Sequence, residues 1–67
     1  MTGNDRELWR LKTETEPIVC LMISCCSGAE LQLRHGERIL LRELYPTKSD
    51  LYERALDLQS EYSRLAP

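Results

Sequence analysis

The sequence has few of the residues on which catalytic sites are usually built. Its 67 residues include one histidine, three cysteines and no phenylalanine. It has no serine-centred elbow, no phosphate-binding glycine loop and no HExxH pattern. A thiol nucleophile needs an oriented base, and the single histidine, His35, is expected in a tight turn with its side chain in water. We therefore expect a protein that is not an enzyme.

A surplus of basic charge is also missing. Nine basic and eleven acidic residues give a net charge of −2, and the sequence pI is about 5.3. Nucleic-acid-binding surfaces normally show clustered Lys and Arg and a high pI. A sheet face bearing arginine and an aromatic residue can stack single-stranded bases, so such a protein is the alternative interpretation. The glutamates that alternate with Arg34, Arg38 and Arg42 weigh against it, and we expect no binding to nucleic acid or to an anionic membrane.

No apolar run is long enough to cross a bilayer. The longest extends from Ile18 to Ile23 and on to Cys26, and it lacks the basic flank of a secretory signal. The odd number of cysteines, with Cys25 next to Cys26, does not suit structural disulfides. We predict a cytoplasmic protein with reduced cysteines.

The cysteines nevertheless raise a second alternative, a metal or redox protein. Cys20, Cys25, Cys26 and His35 are zinc-compatible ligands. Structural zinc sites usually show two closely spaced ligand pairs, whereas here C-x4-C-C is followed by one distant histidine. Buried small apolar side chains are the simpler interpretation, and we expect no metal and no other cofactor.

The first half of the chain predicts two strands. Residues 1–5 are polar and are expected to be frayed. Residues 7–13 favour a strand with Trp9, Leu11 and Thr13 on one face, although a helical turn through Leu8 and Leu11 also fits. The unbroken apolar run of residues 18–26 is typical of a strand covered on both faces, and Ser27-Gly28 is a turn signal.

A hairpin follows, centred on His35 and Gly36. Residues 29–34 alternate between apolar and polar, which indicates a strand with one buried face. A three-residue loop over residues 34–36 pairs Leu31 with Ile39 and Ala29 with Leu41, and it keeps the odd-numbered apolar residues on one face. A two-residue loop at 35–36 is the alternative. In the predicted register Leu40 and Leu44 lie on the opposite face, either as scattered exposed leucines or as part of a second covered face.

A C-terminal helix is predicted after Pro46. Thr47 to Asp50 resembles a capping box, with Asp in place of Glu or Gln. An apolar stripe at helical spacing follows, flanked by Tyr52 and Leu56; its members are Leu51, Ala55, Leu58, Tyr62 and Leu65. The sequence therefore predicts one α+β domain over residues 1–67, a small antiparallel sheet of three to four strands with one C-terminal amphipathic helix on one face.

Four segments carry a resemblance to a known group. They are Gly28-Ala-Glu-Leu-Gln-Leu, His35-Gly-Glu-Arg, Glu43-Leu-Tyr-Pro-Thr and Leu58-Gln-Ser-Glu-Tyr. Together they resemble a group of short, uncharacterised bacterial proteins built as a strand–turn–strand–helix unit with an arginine-rich hairpin. The resemblance covers about residues 28–65 and includes no catalytic motif, and this chain lacks the Gly-Trp ending of the group. It therefore implies a fold and no activity.

The apolar content suggests an interaction module. Apolar residues make up 42% of the chain, and one helix covers only one face of a sheet, so the surplus must be exposed or must contact another chain. We predict a small non-catalytic protein–protein interaction module, either a homo-oligomer such as a homodimer or an accessory subunit on a larger partner. The candidate interface residues come from the apolar run and from the last predicted strand; they are Ile18, Cys20, Met22, Leu40, Arg42 and Leu44.

Overall fold

A computed structural model describes residues 5–25 and 27–65 of the chain. Four strands are followed by one helix: β1 (Asp5–Leu11), β2 (Ile18–Cys25), β3 (Gly28–His35), β4 (Arg38–Tyr45) and α1 (Lys48–Leu65). The strands form one antiparallel sheet in the order β1-β2-β3-β4, and α1 packs on one of its faces. The predicted α+β fold with one C-terminal helix is therefore confirmed, with four strands.

The helix begins where its cap was predicted. The side-chain oxygen of Thr47 accepts a hydrogen bond from the backbone N–H of Asp50 at 3.2 Å, which satisfies a donor that the first helical turn leaves free. Leu51, Ala55 and Leu58 are then buried against the sheet. The Leu65 side chain lies outside the described part of the chain.

The core fills the space between α1 and one sheet face. Its strand residues are Trp9, Cys20, Met22, Ala29, Leu31 and Leu33, all of them buried. The alternating pattern of β3 places its odd-numbered residues there, as predicted. Burying a leucine side chain contributes about 1.5–3 kcal/mol, so Leu31, Leu33, Leu51 and Leu58, each at most 2% exposed, dominate the stability.

A hydrogen bond joins the first strand to the helix. The indole Nε1 of Trp9 donates to the backbone carbonyl of Ala55 at 2.9 Å in a buried position. The bond connects residues 46 positions apart and places β1 beneath the middle of α1. Residues 5–11 form a strand, which confirms the strand interpretation of this segment over the helical turn. The strand begins at Asp5, which was expected to be frayed, and it ends at Leu11, so the predicted extension to Thr13 is wrong. Residues 1–4 lie outside the described residues.

Within one chain only one face of β2 is covered, so the predicted cover of the second face would have to come from another chain. Cys20 and Met22 are buried under the helix, whereas Val19, Leu21 and Ile23 are only half-buried on the other face and Cys25 is exposed. An apolar run does not distinguish a fully covered strand from a strand with one exposed apolar face. The described residues include no element that covers this second face.

The predicted register of β3 and β4 is wrong. Leu31 faces Glu43 and Ala29 faces Tyr45, while Leu41 pairs with Leu33. The loop consists of Gly36 and Glu37 alone, because β3 continues to His35 and β4 begins at Arg38. Gly36 has φ +65°, as expected for the first position of a type II′ turn. The shift is an even number of residues, so Leu41 stays on the helix side as predicted.

Both edge strands contain a bulge. The register shifts between Glu7 and Trp9 on β1, which leaves Leu8 as the extra residue. On β4 the extra residue is Leu40, between Ile39 and Leu41. The second bulge moves Ile39 to the face opposite the helix. Bulges on edge strands interrupt the row of N–H and C=O groups that another strand would pair with.

Candidate functional site

The sheet face opposite the helix, here called the open face, carries apolar side chains. Val19, Leu21 and Ile23 form a half-buried column along β2. Ile39 and Leu44 on β4 are 44% and 73% exposed. Exposed apolar groups that form one surface indicate a binding site more often than the same groups scattered singly. This face is therefore the strongest candidate for a functional surface.

Register places the side chains of the open face in three rows across the four strands. The first row is Asp5, Ile23, Glu30 and Leu44; the second is Glu7, Leu21, Gln32 and Arg42; the third is Arg10, Val19, Arg34 and Ile39. Each row therefore combines apolar and polar side chains. Three acidic and three basic residues make the face electrically neutral.

A hydrogen-bonded ladder organises the polar side chains of β3 and β4. Glu30 Oε2 accepts from Gln32 Nε2 at 2.6 Å and from Arg42 Nε at 2.9 Å. The Oε1 of Gln32 accepts from Arg34 Nε at 3.0 Å. These bonds from Gln32 and then Arg42 lower the pKa of Glu30. The ladder connects four side chains beside the apolar column, and Gln32 itself is only 7% exposed.

On the β1 side of the apolar column, Arg10 and Glu7 form an ion pair. Arg10 Nη2 lies 2.8 Å from Glu7 Oε1, and Arg10 Nε donates to Glu7 Oε2 at 3.2 Å. The hydrogen bonds from Arg10 lower the pKa of Glu7. The apolar column on β2 therefore lies between paired charges on both sides, which is the usual layout of an interface with an apolar centre and a polar rim.

The structure places only two of the predicted interface residues on this surface, both of them on its edge strand β4. Leu44 and Arg42 lie on the open face, and Leu40 is the extra residue of the β4 bulge, 40% exposed. The remaining three belong to the helix side: Ile18 packs against the core, and Cys20 and Met22 are fully buried in it. The candidate surface is corrected accordingly.

Sequence reasoning missed the apolar column and Ile39. Val19, Leu21 and Ile23 alternate with Cys20 and Met22, so either set could have been the buried one. The neighbouring strand supplies the signal, because antiparallel register pairs Leu21 with the polar Gln32 and Met22 with the apolar Leu31.

The aromatic side chains all lie on the helix side of the sheet. Trp9 is buried beneath α1, Tyr45 packs against the core, and Tyr52 and Tyr62 belong to the helix itself. The open face thus has arginines without an aromatic stacking platform. The alternative of a sheet that binds single-stranded nucleic acid loses the feature on which base stacking depends.

The cysteines differ in exposure. Burial raises the pKa of the Cys20 thiol to about 11, whereas Cys25 is exposed at the end of β2. Cys26 lies outside the described residues. Across residues 5–25 and 27–65, no three His, Cys, Asp or Glu side chains come together in a way that could hold a metal ion.

Two shallow grooves lie elsewhere. One, of about 340 Å³, runs between β1 and α1 and is lined by Leu8, Tyr52 and Leu56 among others. Another, of about 410 Å³, lies at the β1–β2 turn beside Arg10, Lys12 and Thr15. Leu56 is 63% exposed. The groove between β1 and α1 nevertheless offers two leucines and one tyrosine beside the buried Trp9 and Ala55, whereas the open face offers five aliphatic side chains.

Comparisons with known proteins identify no relative. The chain matches no family model, no curated protein and no solved structure. The resemblance to short bacterial proteins therefore stays a hypothesis. No helix within the described part of the chain is long and apolar enough to cross a membrane.

Proposed function

We propose that this protein is a non-catalytic protein–protein interaction module that associates through the open face of its sheet. The observation that carries the proposal is the apolar column Val19–Leu21–Ile23, flanked by Ile39 and Leu44, on a face that α1 does not cover. The free energy falls when another protein covers such an apolar surface and removes it from water.

Association through the edges of the sheet is less favourable. Both edges are interrupted by bulges, at Leu8 and Leu40, and charged residues accompany both. A regular edge is needed for a partner strand to add to the sheet. The face therefore remains as the surface with both apolar area and regular geometry.

The size of the face sets the expected affinity. Across the strands, the face is about 19 Å wide, because four strands lie about 4.8 Å apart. Along the strands it is about 23 Å long, because each of seven residues adds about 3.3 Å. Two such faces bury about 900 Å² in total, in the size range of weak, transient interfaces. We expect a dissociation constant in the micromolar range, since the area must also offset lost translational and rotational freedom.

Sedimentation of the purified chain tests this proposal. We expect a concentration-dependent dimer between about 1 and about 200 µM, the range in which a weak interface of this size forms. Replacing Leu21 and Leu44 with lysine should weaken association more than about 100-fold, because two leucines contribute at least about 3 kcal/mol when buried.

A matched control is available on the helix. Leu56→Lys makes the same chemical change at an exposed site away from the face and should leave association unchanged. Circular dichroism must show that the variants stay folded. A wild-type chain that sediments as a folded monomer throughout this range would refute self-association.

A further inference from the structure

We propose that the partner on the open face is a second copy of the chain, stacked so that the two β2 strands run antiparallel to each other. This rests on the proposed function and adds the identity and orientation of the partner. The observation behind it is how charge is distributed along the strands.

Charge on the open face is separated from one row to the next. The first row carries two acidic side chains, Asp5 and Glu30, and the third row carries two basic ones, Arg10 and Arg34. The middle row has one of each sign. The face therefore has an acidic end and a basic end along the strand direction, although its net charge is zero.

The charge pattern is self-complementary when the two sheets are related by a two-fold axis that lies between them, parallel to the sheets and perpendicular to the strands. This axis places the acidic row of one copy over the basic row of the other, so that Glu30 faces Arg34 of the second copy. Apolar groups also meet, with Leu21 over Leu21 and Ile23 over Val19. Two sheets packed face to face lie about 10 Å apart and roughly aligned, which suits these side chains.

The middle row brings like charges toward each other, but each is already paired within its own chain. Glu7 is held by Arg10, and Arg42 is held by Glu30 at 2.9 Å. Both lie at the outer strands, where the twist of the sheets separates the two copies. The same two pairs therefore weaken this repulsion and also the attraction that Arg10 and Glu30 contribute between copies, so the apolar column and the charge pattern together determine the orientation.

The other face-to-face two-fold arrangement is unfavourable. An axis parallel to the strands and midway between β2 and β3 would put β2 of one copy over β3 of the other, with Leu21 against Gln32, Ile23 against Glu30 and Val19 against Arg34. Apolar groups would then cover polar groups without giving them partners, and burying charge in that way is costly. An axis along β2 itself would place β1 over β3, with Asp5 on Glu30 and Arg10 on Arg34, so that like charges meet. The charge pattern and the apolar column thus select the same orientation.

Charge reversal across the predicted contact tests the orientation. Glu30→Lys and Arg34→Glu should each weaken the dimer about tenfold, because each replaces two attractive contacts with two repulsive ones. An equimolar mixture of the two variants should recover association, since Lys at position 30 of one chain then faces Glu at position 34 of the other, and the second contact pairs the unchanged Arg34 with the unchanged Glu30.

Two helix variants serve as matched controls. Asp57→Lys and Arg64→Glu change the net charge by the same amounts on the exposed surface of α1 and should show no preference for mixed pairs. If the controls prefer mixed pairs as strongly as the face variants do, net charge explains the effect and the proposed orientation is wrong. Circular dichroism checks that all four variants remain folded.

A distance measurement tests the same orientation without altering the charges. Cys25 lies on β2 four residues from Leu21, so spin labels there should be about 28 Å apart in the proposed dimer and about 11 Å apart in the other arrangement. The labelled protein carries Cys26→Ser. A dimer with the short distance overturns the orientation and leaves the proposed function standing, whereas a folded monomer refutes self-association and with it the second copy as partner.

Discussion

Gly28 is the first residue of β3 and lies against the junction between β4 and the helix. Its φ of +142° belongs to a region that L-residues rarely adopt. A Cβ at this position would overlap the carbonyl oxygen of Tyr45 and lie 3.1 Å from the Cα of Pro46. Both obstacles are backbone atoms, so the clash cannot be relieved by turning a side chain.

The cost of Gly28→Ala follows from these two terms. The unfavourable φ contributes about 1–3 kcal/mol, and displacing a packed neighbour contributes about 1–3 kcal/mol more. A 67-residue domain has a free energy of unfolding of only about 3–10 kcal/mol. We therefore expect the variant to lose about 2–6 kcal/mol and to melt at least about 10 °C lower.

Urea titration followed by the fluorescence of Trp9, the one tryptophan, measures this loss. Gly36→Ala is the control, because its φ of +65° is also positive but the nearest obstacle is the flexible side chain of Glu16 at 3.0 Å. It should cost about 1–2 kcal/mol. The reasoning fails if Gly28→Ala stays within about 1 kcal/mol of the wild type, or if Gly36→Ala is the more harmful change.

Two further changes probe the helix and the thiols. Leu58→Asp should unfold the protein, because Leu58 is 2% exposed and an unpaired buried carboxylate costs several kcal/mol. Asp57→Ala, on the exposed surface of the helix, should leave the stability nearly unchanged. A thermal melt showing a stable Leu58→Asp variant would place this residue outside the core. In a Cys26→Ser variant at pH 8, the exposed Cys25 should react with a thiol reagent at once, and Cys20 only after unfolding. The reason is that burial raises the pKa of the Cys20 thiol to about 11. Equal labelling rates of the two cysteines in the native state would contradict this difference.

The elements could be predicted because their patterns are local. The Thr47 cap and the spacing of Leu51, Ala55 and Leu58 are properties of neighbouring residues, and the structure confirms both. Alternation in β3 likewise identified the buried set Ala29, Leu31 and Leu33. Periods of 3.6 and 2 residues leave little freedom when the run is long enough.

The register and the open face could not be predicted because they depend on contacts between strands. A bulge adds one residue to a strand without changing its composition. The residues near Leu40 therefore do not indicate that Ile39 lies on the open face rather than on the helix side. The same holds for β2, where the pairing with Gln32 decides which of its alternating apolar residues remain uncovered. Of the six candidate interface residues, the structure therefore places only Arg42 and Leu44 on the open face.

The bulges at Leu8 and Leu40 also set a limit on how large an assembly can become. Fibrils and extended sheets grow when each added strand offers a fresh regular edge to the next. Here the edges are interrupted, and the open face occurs once in each copy, so pairing through it leaves no second equivalent face for a third chain. Raising the protein concentration should saturate the pair rather than lengthen a polymer.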